Sequence, residues 1–239
     1  ADDYHNLKAA LKLVYVRSGI SRNRVFVTGG RIPPEIIEKA ARERDFSSLP
    51  EDMQKAAEEA QGTLLHTGDG QLCDIILDRA SLEAVYRAGM ESQEEVLKRY
   101  AQLTVAAADI RIAVRCGKVG KSLDFIERAL APCPGLDTEA LAHGALSGTE
   151  GVASCLEGTE YAQAAEALRK SPAAFEKWCD DLIIEEIRPQ KYNPFTLGPL
   201  AAYILARRNE IKCVRMILTG RQNELPDNVI RERLREMYV

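Results

Sequence analysis

The chain of 239 residues, 46% hydrophobic and 28% charged, is long enough to bury a substantial core and has an ordinary globular composition. Its formal net charge of −4 gives no case for general nucleic-acid binding, which needs a strongly basic face, although the segment from Glu186 onward is locally basic. No apolar run approaches the ~20 residues that span a bilayer and no signal-peptide pattern opens the chain, so a cytoplasmic protein without membrane insertion is expected.

In chain order the pattern is helical almost throughout. Tyr4, Leu7, Leu11 and Val14 form one amphipathic stripe, with Asp2 or Asp3 placed to cap it. Arg24–Thr28 is the only β-like run, and it reads equally as an ordered loop. Pro33-Pro34-Glu35 starts a helix through Arg44, and Ser48–Asp52 starts another to about Gln61, where Gly62 supplies a stop. After a connector at His66–Gly70, a helix from Gln71 to Ala88 ends at Gly89. Ser92-Gln93-Glu94-Glu95 resembles a capping box for a helix through Arg115, broken by Gly117 and Gly120. Helices over Ser122–Leu130 and Asp137–Leu146 flank the turn Pro132-Cys133-Pro134-Gly135. Thr159–Arg169, Pro172–Glu186, Thr196–Thr219 and Pro226–Met237 complete the set, with Gly220 ending the third of these. In the last, Val229, Ile230, Leu234 and Met237 supply a buried stripe, and the charged residues from Arg231 to Glu236 an exposed face. The fold class is all-α.

One helical motif recurs three times. Asn6-Leu7-Lys8-Ala9-Ala10-Leu11-Lys12 is echoed by Asp109-Ile110-Arg111-Ile112-Ala113-Val114-Arg115 and by Cys213-Val214-Arg215-Met216-Ile217-Leu218-Thr219. Cys73-Asp74 and Cys179-Asp180 form a second pair of anchors upstream of the later copies. A period of about 103 residues implies repeated helical-bundle domains, divided as 1–48, 49–136 and 137–239. The first copy begins six residues in, whereas the others follow long helical stretches, so an N-terminal segment of the first repeat is expected to be missing.

Chemistry is sparse. Gly117-Lys118-Val119-Gly120-Lys121-Ser122 has Arg115 where a phosphate-binding loop needs its first Gly, and a helix where it needs a strand. A helix-to-helix turn is the simpler reading, and Thr28-Gly29-Gly30 fails on similar grounds. His66, Asp69, Cys73 and Asp74 have metal-ligand types, but Asp69 at a helix start suits capping. The six cysteines contain no CxxC pair and read as buried reduced thiols. No catalytic set can be assembled, and no metal or cofactor is expected. The aligned cations Lys8, Arg111 and Arg215 are the candidate site residues. In the simpler reading they are solvated, or pair with upstream acids such as Asp3 and Glu210. In the sharper one they are equivalent partner-facing positions.

The stretch Glu210–Arg221, Leu225-Pro226, Ile230–Arg235 and Tyr238-Val239 resembles the C subunit of the V-type (A-type) rotary ATPases, equivalent to the d subunit of the eukaryotic enzymes. Asp3–Lys8 and Asp109-Ile110-Arg111 match the internal repeats of the same family. Cys213 departs from the family, which usually has Asn there. The resemblance implies a funnel of three similar helical domains with pseudo-threefold symmetry. It further implies a non-catalytic central-stalk component, peripheral to the membrane, that couples central-shaft subunits to the membrane rotor ring during H⁺ or Na⁺ transport. A helical-repeat scaffold or regulatory adaptor unrelated to rotary ATPases is the alternative.

Overall fold

The computed structural model describes residues 1–16 and 25–238. Among them are α1 (Asp2–Val16), α2 (Pro34–Glu43), α3 (Glu51–Thr67), α4 (Gly70–Met90), α5 (Glu95–Val119) and α6 (Leu123–Ala129). There follow α7 (Thr138–Leu146), α8 (Gly148–Leu156), α9 (Ala162–Lys170), α10 (Pro172–Ile187), a 3-10 turn (Arg188–Tyr192), α11 (Gly198–Gln222) and α12 (Asp227–Arg233). No strand occurs among the described residues, and the fold class is all-α. No helix among them is long and apolar enough to cross a membrane. The helices form two compact units, Ala1–Val85 with Ser122–Pro132, and Tyr86–Lys121 with Cys133–Val239.

In the first unit, Leu7, Ala10 and Leu11 of α1 meet Ile37, Ala40 and Ala41 of α2 and the Met53–Leu64 stripe of α3 in one buried cluster. The many alanines let the helix axes approach closely. Asp2 and Asp3 lie inside the first turn of α1 rather than capping it. The Asp3 carboxylate instead accepts the Ile32 amide at 3.0 Å. Asn6, fully buried, clasps Val27 both ways, accepting from its N–H and donating to its C=O. The chain from Val25 to Ile32 is therefore an ordered loop bonded to α1, not a strand; Arg24 lies outside the described residues.

Gly62 does not stop α3, which continues to Thr67 and ends at Gly68 with φ +69°. A glycine inside a helix costs only ~1 kcal/mol, less than the ~1.5–3 kcal/mol gained by burying a residue such as Leu64 on the next turn. Gly89 likewise lies within α4, where it meets Ala101 of α5.

In the second unit, α5 buries Val96, Leu103, Ala106, Ile110 and Ala113. No capping box forms at its start: Ser92 Oγ accepts the Glu94 amide and Glu95 pairs with Lys98. The helix passes through Gly117 and stops at Gly120, whose φ of +71° suits a residue without a Cβ. Gly117 marks a close crossing, because a side chain there would strike the Ala145 carbonyl. α8 lies between the expected helices Asp137–Leu146 and Thr159–Arg169, where the sequence reading places none. Gly151 sits against the Gly144 carbonyl of α7, so the glycines permit a tight α7–α8 crossing, with Val152, Ala153 and Leu156 buried beyond it.

α11 starts with Pro199 in its first turn and continues past Gly220, which faces Ile230 of α12. α12 ends at Arg233, four residues before the expected Met237. The following segment is extended, because side chains of its neighbours satisfy its backbone. Lys177 donates to the Leu234 carbonyl, Asp181 accepts the Glu236 amide, and Asn209 donates to the Glu236 carbonyl at 2.8 Å. Arg235, expected on an exposed face, is nearly buried against Asp180 at 2.6 Å, and Met237 is exposed.

Candidate functional site

The three motif cations sit on α1, α5 and α11, and the first two are joined to acids from distant helices. Lys8 Nζ lies 2.7 Å from Asp78 on α4, and one turn along, Lys12 lies 2.6 Å from Asp74. The acids suggested by the sequence serve elsewhere: Asp3 holds the Ile32 amide and Glu210 pairs with Arg207. Both lysine pairs are partly exposed, so each contributes no more than ~1 kcal/mol. The apolar companions of the two acids, Cys73 and Leu77, are fully buried in the same cluster as Leu7 and Leu11.

Arg111 forms a two-pronged contact with Glu176 of α10, Nε to Oε1 at 2.5 Å and the terminal nitrogen to Oε2 at 2.9 Å. Burial opposes its charge, but the hydrogen bonds and attraction from Glu176 outweigh this and hold its pKa above the usual value. The neighbours of Glu176 and of Asp180, Phe175 and Cys179, are buried beneath α5. Burial pushes the Cys179 thiol up to about 12, keeping it inert at neutral pH. Arg99, which periodicity could not single out, repeats the arrangement by bridging Glu160 and Glu186.

Arg215 differs. It has no ion pair among the described residues, and it lines an open cleft of about 270 Å³ with Lys212, Arg233, Met216, Leu225 and Ile230. Its motif companions Val214, Ile217 and Leu218 are 53%, 38% and 63% exposed, whereas Leu7, Ala10, Ile110 and Ala113 are each at 0%. The buried amide of the third copy is not at Cys213 but one turn earlier, at Asn209. The repeated spacing thus continues in sequence where the packing around it changes.

The other candidate clusters resolve into structural contacts. Asp69 caps α4 by accepting the Gln71 and Leu72 amides, and Asp74 is engaged with Lys12. Gly117–Ser122 is a helix-to-helix turn in which Ser122 Oγ accepts the Phe125 amide. Among the described residues no three His, Cys, Asp or Glu side chains converge as metal ligands. What α11 offers is an exposed apolar and basic face, suited to noncovalent association.

Comparison with known proteins agrees with an assembly part. The C subunit of the A-type ATP synthase of Methanocaldococcus jannaschii is 24% identical over 251 residues, covering 97% of this chain and 62% of that protein. Its counterpart from Desulfurococcus sp. (strain SY) is 25% identical over 147 residues, covering 59% of this chain and 40% of that protein. The chain thus spans less than two thirds of the length of these relatives. No solved structure matches it. The family model described as ATP synthase (C/AC39) subunit matches residues 1–233, nearly the full sequence, and the chain belongs to that family of rotary ATPase subunits.

Proposed function

We propose that the protein is a non-catalytic central-stalk subunit of a V-type or A-type ATPase. In this reading it joins the central-shaft subunits to the membrane rotor ring and passes torque between them during ATP-driven H⁺ or Na⁺ transport, or during ATP synthesis. The observation that carries the proposal is the family match over residues 1–233. The all-α architecture is compatible with it, since packed helices resist deformation and transmit force without chemistry. The proposal includes three helical repeats, 1–48, 49–136 and 137–239, arranged in the intact protein as a pseudo-threefold funnel peripheral to the membrane. Lys8, Arg111 and Arg215 then occupy equivalent repeat positions.

Reconstitution tests this. The full-length protein, mixed with purified shaft subunits and detergent-solubilised rotor ring, should bring both down in one complex on size-exclusion chromatography. Failure to bind either partner rejects the coupling role. ATP hydrolysis by the isolated protein above the buffer background rejects the non-catalytic one.

A further inference from the structure

The first two motif copies define what a motif helix packs against. Beside α1, α4 presents Cys73-Asp74 and, one turn later, Leu77-Asp78, with both apolar residues buried and both acids bonded to Lys12 and Lys8. Beside α5, α10 presents Phe175-Glu176 and Cys179-Asp180, with Phe175 and Cys179 buried and Glu176 gripping Arg111. Two different partner helices therefore share one pattern, an apolar residue followed by an acid, repeated four positions on. Beside α1 that spacing sets both carboxylates over motif cations, whereas beside α5 only Glu176 meets one, Asp180 being paired with Lys212 of α11 and with Arg235.

α11 carries the same motif without such a neighbour on its outer face. Leu200, Tyr203, Ile204, Ile211, Val214 and Leu218 are all exposed and follow a helical period over five turns. Arg208 and Arg215 line one edge of this stripe, one turn after Ile204 and Ile211, and have no ion pair among the described residues. The helix holds five basic residues and one acid, Glu210, which Arg207 already engages. Apolar surface flanked by unneutralised cations calls for an occupant whose apolar residues are each followed by an acid, the pattern seen beside α1.

We propose that the outer face of α11 docks an acidic amphipathic helix of another polypeptide, bearing an apolar-acid pair repeated one turn later. The apolar residues cover Val214 and Leu218, and a carboxylate meets Arg215 as Glu176 meets Arg111. Docking at α11 does not depend on the rotary reading.

A helix-constrained, fluorescent peptide copying Pro172–Ile187, with Cys179 replaced by Ala, supplies the probe. Titrated with the whole chain, it should show saturable anisotropy. The dissociation constant should rise about tenfold or more, ~1.4 kcal/mol or above, for the Arg215→Glu protein and for the peptide with Gln and Asn in place of Glu176 and Asp180. Circular dichroism and the unfolding midpoint of Arg215→Glu should match the parent, so that lost binding is not lost folding. Absence of saturable binding, or equal binding by Arg215→Glu, overturns the proposal. So does binding to anionic phosphatidylglycerol vesicles without binding to the peptide. A dimer of the chain alone that Leu218→Glu abolishes assigns the face to a second copy and also overturns it.

Discussion

Helices α5 and α11 are each 25 residues long and carry successive copies of one motif, yet the molecule uses them in opposite ways. α5 buries nine of its residues and commits Arg111 to Glu176. α11 buries a narrow stripe of mostly small side chains, including Ala202, Ala206, Cys213 and Gly220, and turns its larger apolar residues outward. A motif of this kind therefore specifies a helix and the chemistry of its faces. Which faces are covered depends on neighbours supplied from elsewhere in the chain.

The sharpest way to break that contrast is a matched pair of truncations. Ile110→Ala on α5 should lower the unfolding free energy by ~2–5 kcal/mol in urea titrations, because a fully buried side chain leaves a cavity. Val214→Ala at the aligned position of α11 should stay within ~0.5 kcal/mol. Equal losses at the two sites would mean that Val214 is buried in solution.

Glycines give a second contrast, between crossing points and open helix. Gly151→Ala should cost ~1–3 kcal/mol, since the added methyl meets the Gly144 carbonyl and backbone must shift. Gly62→Ala should instead stabilise by up to ~1 kcal/mol, because nothing lies near its face and alanine favours the helix. The two unfolding midpoints should move in opposite directions, and a common direction would contradict the crossing geometry.

Smaller effects separate the cations. A double-mutant cycle on Arg111 and Glu176 should return a coupling of ~0.5–1 kcal/mol, modest because both side chains remain about one third exposed and are screened. Raising the salt to ~1 M should reduce it. Smallest of all, Arg215→Glu should change thermal stability by less than ~0.5 kcal/mol, since the guanidinium has no acid to lose. A larger change would reveal a stabilising contact for Arg215 and narrow the difference between the second and third copies.

Much of the fold is legible in the sequence because its signals are local. The start of α2 at Pro34, the caps at Ser122, Asp137 and Ser171, and the stop at Gly120 each depend on a few adjacent residues. Gly62, Gly89 and Gly220 look like stops in sequence and are not, for one shared reason. Helix termination by glycine needs a left-handed residue, but a glycine is equally useful where another element crosses closely or where burial further on extends the helix. The end of α12 is hidden from sequence because Lys177, Asp181 and Asn209, distant along the chain, take up the backbone bonds that a further helical turn would have made.

The candidate site divides along the same line. The sequence by itself determined the helical class, the recurrence of a cation at Lys8, Arg111 and Arg215, and the family to which the chain is similar. These are carried by periodicity and residue type within single helices. Only the tertiary structure decided which acid each cation meets, 70 residues away for Lys8 and 65 for Arg111, and that Arg215 meets none among the described residues. It also decided that Leu7 and Ile110 are buried while Val214 is exposed. Hydrophobic and ionic contacts act through space, so identical local patterns acquire different roles once the chain has chosen what to place beside them.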